Sequence, residues 1–256
     1  YEIMRDKKFG KSGDRIVIEE FLSGPEVSVL SFTDGKTVVP MISSMDHKRA
    51  LDGDKGLNTG GMGTVAPNPF YTKEVAERCM KEIFLPTIEA MNAEGRTFRG
   101  CLYFGLMITA EGPKVIEYNC RFGDPETQVV LPLLKSDLLT VMKATAEGRL
   151  SECDVTFSHK HAACVIMASQ GYPTAYKKGF PIYIPDELAD YVYVAGAADR
   201  DGVLVTSGGR VLGVTAVGDS LREALVTAYG RVKQITFEGA FYRSDIGSKA
   251  LSGGEN

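Results

Sequence analysis

The stretch Lys114-Val-Ile-Glu-Tyr-Asn-Cys-Arg-Phe-Gly-Asp-Pro-Glu126 constrains this chain more than any other. Its first half reads as a strand that returns from a partner over residues 101–108 through a turn at Glu111-Gly112. Side chains two apart on a strand share a face, so Glu117 and Asn119 point one way and Ile116 and Tyr118 the other. A carboxylate beside a carboxamide oxygen is hard-oxygen ligation suited to Mg²⁺ or Mn²⁺. Magnesium keeps much of its water and favours phosphate oxygens, so it needs only one or two protein ligands. Arg121 stands where strand gives way to loop, placed to neutralise a transferring phosphoryl group or an acyl phosphate. Asp124 and Glu126 add acceptors for an amine or a ribose. A lone Glu-x-Asn is commonly a solvated strand end. The full run Glu-x-Asn-x-Arg-x-Gly-Asp-Pro-Glu is far more specific, because polar groups set against an apolar strand cost stability unless they have partners.

Two further segments suit the same chemistry without proving it. In Ile18-Glu-Glu-Phe-Leu-Ser-Gly-Pro-Glu26 a strand turns at Gly24-Pro25. Backbone around Glu19, Glu20, Phe21 and Leu22 fits an adenine edge and Glu26 a ribose, but read alone this is a strand-turn-strand. Asp46-His-Lys-Arg49 precedes Asn58-Thr-Gly-Gly-Met-Gly63. Adjacent cations ahead of a glycine-rich loop suit an anion, since bare N–H groups can close on it; a flexible loop with solvated charges fits the same residues slightly better. Neither Gly-x-x-x-x-Gly-Lys-Ser/Thr nor Gly-x-Gly-x-x-Gly occurs. His47 is a candidate base on weak grounds, His159 and His161 read as structural, and Tyr242-Arg-Ser-Asp-Ile-Gly247 reads as a salt-bridged turn packing between domains.

With 256 residues the chain has room for one large domain or two ordinary ones. Hydrophobic residues make up 44% and charged residues 24%, a globular balance, and no apolar run approaches a membrane span. The net charge of -4 argues against nucleic acid as the main partner. Residues 1–8 lack the apolar core of a signal peptide, and the five cysteines, odd in number and without a Cys-x-x-Cys pair, read as reduced thiols of a cytosolic protein. The start reads as the last turns of a helix stopped by Gly10, as in a piece of something longer.

Strands are expected over residues 15–20, 26–32, 36–42, 101–108, 114–119, 161–168 and 191–195, with 203–206 and 211–217 as a hairpin about Gly208-Gly209. Residues 43–68 read as a loop. Helices are expected over 72–93, capped by Thr72 and kinked at Pro86, over 131–147, and from the capping box Ser220-Leu-Arg-Glu223 onward. That last helix has Leu221, Ala224, Leu225, Ala228 and Val232 on one face. Residues 253–256 look like a frayed end or linker.

In this order, Ile18-Glu-Glu-Phe-Leu22, Asp46-His-Lys-Arg49, Asn58-Thr-Gly-Gly-Met-Gly63, residues 117–126 and Tyr242-Arg-Ser-Asp-Ile-Gly247 resemble the ATP-grasp superfamily. Within it the match is closer still to the glycinamide ribonucleotide synthetase family, over essentially the whole chain. The resemblance implies an α+β fold: an ATP-grasp core of antiparallel sheet with helices at residues 14–155, a lid remnant at 1–13 with most of the lid missing, and a small mixed α/β C-terminal domain at 156–256. It implies a ligase that phosphorylates glycine with ATP and Mg²⁺ or Mn²⁺ and passes the glycyl group to 5-phosphoribosylamine, in early purine synthesis. By the same resemblance Glu19, Glu20, Phe21, Leu22 and Glu26 hold ATP, Glu117 and Asn119 the metal, and Arg121, Lys48 and Arg49 serve catalysis. Asp46, Asn58, Thr59, Gly60, Gly61, Asp124, Pro125 and Glu126 would then contact the substrates. The family carries an N-terminal substrate domain ahead of these residues, so the chain alone is expected not to turn over. Further purine-synthesis modules on the same polypeptide fit the family as well. Residues 102–107 carry no acid, whereas many other ATP-grasp ligases, such as carboxylases, place a second metal ligand there. A non-catalytic nucleotide-binding or docking module is the rival from another class.

Overall fold

A computed structural model describes residues 2–8 and 10–253. In chain order its elements begin with a 3₁₀ turn, Gly10–Asp14, then β1 (Glu26–Thr33), β2 (Val38–Pro40), β3 (Met45–Asp46), β4 (Arg49–Leu51), β5 (Lys55–Asn58) and β6 (Gly63–Ala66). Then come α1 (Lys73–Cys79), a π turn (Met80–Phe84), α2 (Leu85–Ala93), β7 (Gly100–Thr109), β8 (Gly112–Asn119), α3 (Thr127–Val130) and α4 (Leu138–Glu147). The remainder holds β9 (His161–Ser169), β10 (Val192–Val194), β11 (Ala197–Arg200), β12 (Val203–Thr206), β13 (Arg210–Gly218), α5 (Leu221–Val232), β14 (Ala240–Phe241) and α6 (Ser248–Gly253).

Two antiparallel sheets carry the fold. The first has the order β2-β1-β7-β8, the second β10-β13-β9-β6-β3 with β14 also on β9. Strand alternation sorts their side chains into layers. Val27 and Val29 of β1 and Leu102, Phe104 and Leu106 of β7 pack against Cys79, Phe84 and Ile88 of the first helical segment. The other face of that sheet, with Leu30, Phe32, Cys101 and Tyr103, meets Ala162, Cys164 and Ile166 of β9. Ala163, Val165 and Met167 on the far face of β9 pack on Leu221, Ala224, Leu225, Ala228 and Val232 of α5. That stripe follows a helical period, and the Ser220 hydroxyl caps the helix by accepting from the Glu223 N–H at 3.2 Å. Burial on both faces explains why β1, β7 and β9 read as near-continuous apolar runs.

Several expectations change. Residues 15–20 form no strand, and Val17, Ile18 and Phe21 are 84%, 87% and 93% exposed. A strand needs a neighbour for its N–H and C=O groups, and among the described residues none pairs with this segment. Among the described residues the start is a set of turns rather than a helix end, with Tyr1 and Phe9 outside them. The supposed loop 43–68 contains four short strands, with Gly53 (φ +67°) in the turn between β4 and β5 and Gly56 (φ +80°) inside β5. The helix after Thr72 runs through a π turn, and Pro86 sits in the first turn of α2, where its missing N–H costs little. The helix expected over 131–147 is broken: a 3₁₀ turn at Leu131–Leu133 is followed by α4, which Asp137 caps. β12 pairs with β11, whereas β13 pairs along its length with β9, so the two do not form a hairpin with each other. Gly253 closes α6, and residues 254–256 lie outside the described residues. Hydrogen bonds cross the division expected at 155/156, because β6 pairs with β9.

The five cysteines are free thiols. Burial pushes Cys101 and Cys164 up to about 12 and Cys79 up to about 11. Cys120 is exposed and Cys153 half-buried.

Candidate active site

The face of the first sheet that looks toward the second carries the polar cluster. Tyr103 lies opposite Asn119 and Gly105 opposite Glu117 across β7 and β8. A Cβ on Gly105 would stand 2.9 Å from Cγ of Glu117, so glycine there makes room for the acid. The register slips between Gly105 and Leu106, which leaves Ile116 as the extra residue of a bulge. Tyr118 turns to the helical side, against Phe104 and within 3.1 Å of the Thr87 hydroxyl.

Two cavities share this end of the sheet. The smaller, about 150 Å³, is lined by Asp46, Lys48, Thr59, Gly60, Tyr103, Glu117, Asn119, Arg121, Asp124 and Glu126. The larger, about 500 Å³, adjoins it through Asp46 and Lys48 and also takes in Gly24, Glu26, Arg49, Asn58, Ile116 and Lys249. Glu19, Glu20, Phe21 and Leu22 line neither; Glu20 instead pairs with Lys114 at 3.1 Å. Gly61 and Pro125 pack together behind the smaller cavity, where a Cβ on Gly61 would meet Asp46 Oδ1 at 2.5 Å and Pro125 Cδ at 2.6 Å.

Charge is distributed unevenly here. Burial, then the neighbouring Glu126, pushes the Asp46 carboxyl well above its ordinary range. Burial also raises Glu126, although Tyr103 O–H donates to it at 3.1 Å and Ser28 Oγ at 3.4 Å. Glu126 raises Asp46, so a cation brought between the two would relieve their repulsion. Lys48 is partly buried, which alone would lower its pKa, but its 2.6 Å pair with Glu26 outweighs that and holds it charged. Glu26 is thus engaged by Lys48 as well as facing the larger cavity. Among the described residues, neither Glu117 nor Asn119 spends its side-chain oxygen on a hydrogen bond or ion pair. The donor set, two hard oxygens facing one polar cavity beside Lys48 and Arg121, fits a divalent ion that brings phosphate oxygens with it.

His47 is a structural group. It is 4% exposed, its Nδ1 lies 3.0 Å from the Gly63 carbonyl, and its Nε2 accepts the Gly247 N–H at 3.0 Å. That fixes the tautomer with the proton on Nδ1, and burial holds the ring neutral, its pKa lowered to about 4. The unfolded chain takes up this proton near pH 6.5 and the folded chain only near 4. Stability is therefore full above the higher value and falls with pH through that window. Wild type is expected to lose about 3 kcal/mol relative to His47→Gln between pH 7 and pH 4. Urea unfolding of both proteins at the two pH values measures it, and parallel curves would refute it.

Arg210 and Tyr172, outside the sequence motifs, complete the site together with the turn 242–247. Arg210, at the start of β13, donates to the carbonyls of Gly60, Gly61 and Asp124 and to the Asp124 carboxylate. Tyr172 accepts the Gly60 N–H at 3.1 Å. The turn 242–247 grips the β4–β5 hairpin: Arg243, 2% exposed, binds Asp245, Asp54 and the Arg49 carbonyl. Nothing local in the sequence marks Arg210 except the Gly208-Gly209 turn before it, since its partners lie far away along the chain.

Residues 1–127 match the family description "Phosphoribosylglycinamide synthetase, ATP-grasp (A) domain", and residues 162–249 match "Phosphoribosylglycinamide synthetase, C domain". The chain is 49% identical over 245 residues to a phosphoribosylamine–glycine ligase of Caldanaerobacter subterraneus subsp. tengcongensis, covering 95% of this chain and 59% of the relative. It is 49% identical over 255 residues to the human trifunctional purine biosynthetic protein adenosine-3, covering 98% of this chain and 25% of that protein. The crystal structure of the Thermotoga maritima phosphoribosylamine–glycine ligase superposes with a TM-score of 0.82 at 37% identity, over 89% of this chain and 56% of that one. The chain thus spans about three fifths of the length of the bacterial relative. No helix among the described residues is long and apolar enough to cross a membrane. With an ATP-grasp fold and two family domains matched in order, the chain belongs to the phosphoribosylglycinamide synthetase family.

Proposed function

We propose that this chain is the metal- and phosphate-handling part of a cytosolic ATP-dependent ligase that joins glycine to 5-phosphoribosylamine through glycyl phosphate. The observation that carries the reading is the shared cavity. Glu117 and Asn119 face it together with Arg121, Lys48 and the Asp46–Glu126 pair. In the first step a glycine carboxylate oxygen takes the γ-phosphoryl group and ADP leaves. In the second the amine nitrogen of phosphoribosylamine attacks the glycyl carbonyl, and phosphate departs as the C–O bond breaks and the amine gives up a proton. Arg121 and Lys48 offset charge on the transferring group. Arg49, with Asn58, borders the larger cavity, where nucleotide phosphates would enter. A divalent ion held by Glu117 and Asn119 would neutralise those phosphates when bound. Asp46 and Glu126 suit an ammonium or amine, with Asp124 and Thr59 to Gly61 closing over the substrate. Backbone at 19–22 would meet adenine, reached from Gly24 to Glu26 at the cavity rim.

Because the chain spans only part of its relatives, the test supplies the rest. The chain alone, and the chain mixed with the N-terminal portion of the Caldanaerobacter relative, are assayed for ADP release with ATP, Mg²⁺, glycine and phosphoribosylamine. Turnover in the mixture and none with the chain alone is expected. Binding of Mn²⁺–ADP without turnover in the mixture would instead support a non-catalytic nucleotide-binding module.

A further inference from the structure

We propose that Arg210 is a positioning residue that locks the glycine-rich loop to the Asp124–Glu126 segment and so sets the shape of the reaction cavity. The inference deepens the ligase reading and rests on it for its kinetic arm only. Arg210 is not among the residues that face the cavity, yet every hydrogen-bond partner of its side chain belongs to a lining segment or the loop beside it. Its Nη1 donates to Gly60 O at 2.6 Å, Asp124 O at 2.9 Å and Gly61 O at 3.3 Å, and its Nη2 meets Asp124 Oδ2 at 3.1 Å. One planar fork therefore ties together two segments that are over sixty residues apart in sequence, from a strand of the second sheet.

The packing admits little else. A Cβ on Gly60 would lie 2.9 Å from the guanidinium carbon of Arg210, so glycine lets the fork lie against the loop backbone. Tyr172 holds the Gly60 N–H from the same half of the chain. Gly61 is wedged between Asp46 and Pro125. Loss of the fork frees Gly60 and Gly61 and leaves the Asp124 carboxylate without its cation, while Glu117 and Asn119 stay in β8, paired with β7, and Lys48 keeps Glu26. A lysine offers a point charge and cannot bridge three carbonyls and a carboxylate at once.

Two measurements test this. The first is amide exchange of the chain alone, comparing wild type, Arg210→Ala and Arg210→Lys. The amides of Gly60 and Gly61 are expected to exchange about tenfold faster or more in Arg210→Ala, as expected for a segment that opens locally. Unchanged exchange there overturns the inference whatever the enzyme does. The second is turnover in the reconstituted mixture. A misplacement near 1 Å at a reacting centre costs on the order of 100-fold, so kcat should fall by about that factor. KM for ATP should stay within about twofold, because the nucleotide side of the site is held by other residues. Guanidinium ion added to Arg210→Ala should restore part of the rate, a response that general destabilisation does not give. Retention of kcat within about threefold overturns the positioning role. So does a fall in kcat with no rescue and a matching loss of thermal stability. Should the wild-type mixture not turn over at all, the ligase reading fails separately, and the exchange measurement still decides whether Arg210 fixes the loop.

Discussion

Glu117→Ala is expected to remove the Mn²⁺ dependence of nucleotide binding, weakening Mn²⁺–ADP by roughly 100-fold or more while leaving metal-free ADP unaffected. Truncating one charged partner of a close ion contact costs about 2–5 kcal/mol, and each 1.4 kcal/mol is tenfold. Glu117 supplies the one full negative charge of its donor pair; Asn119 supplies only a dipole. Asn119→Ala should therefore weaken Mn²⁺–ADP less than Glu117→Ala does. Glu117→Gln keeps an oxygen but loses the charge, and should behave nearer to Glu117→Ala than to wild type. Calorimetric titration of each variant with ADP, with and without Mn²⁺, measures all three. Glu117 is exposed, so its loss should shift stability by no more than about 0.5 kcal/mol, and weakened binding would not be a folding artefact. Mn²⁺–ADP affinity within threefold of wild type in Glu117→Ala would remove the metal site from the account.

Much of this site is written locally. Glu117 and Asn119 alternate on a strand, and alternation is a local rule that survives folding. The α5 stripe and the Ser220 cap are equally local, set by helical period and by a hydroxyl one residue before the helix. Errors begin where partners are distant. Residues 15–20 carry strand-like composition, but no neighbour pairs with them among the described residues, and composition cannot supply one. The glycines of 43–68 resemble a loop because each short strand between them finds its partner elsewhere. β6, for instance, lies on β9 about a hundred residues later. The pairing of β13 was obscured by Gly208-Gly209, which looks like a hairpin turn but lets β13 pass to β9. Arg210 and Tyr172 carry no local mark for the same reason. Their chemistry appears only once the second sheet brings them to Gly60. His47 looked like a possible base because the sequence could not show that both its nitrogens are already spent on backbone.

The same long-range dependence makes Arg243 the residue whose loss should cost the most stability. Its guanidinium is bidentate to Asp245, at 2.7 and 2.8 Å, and reaches Asp54 and the Arg49 carbonyl at 3.0 Å each. Asp245 also accepts the Gly53 N–H, Asp52 accepts from Ser244, and Lys249 pairs with Asp54. Together these bonds fasten the β4–β5 hairpin, which carries Arg49 and Asn58 over the larger cavity, to the C-terminal turn. Removing one partner of a buried pair costs about 3–5 kcal/mol, and the low end applies here because Asp54 and Asp245 stay partly exposed while only Arg243 is buried. Arg243→Met should thus lower the melting temperature by roughly 10 °C, at about 2–4 °C per kcal/mol for a chain of this size. A second change, Asp245→Asn, should recover part of that loss, since it removes one orphaned charge. The coupling has a pH signature. Burial would raise Asp245, but the Arg243 and Gly53 hydrogen bonds win and hold it down to about 2. A carboxylate depressed in the folded state stabilises above its unfolded value, and that contribution is lost as pH falls toward the folded one. The stability gap between wild type and Arg243→Met should therefore be full at pH 6 and shrink below about pH 4. Thermal melts across that range, with Mn²⁺–ADP titration at neutral pH, separate a clamp on the hairpin from a bystander: a bystander would leave both the melting temperature and the affinity where they were.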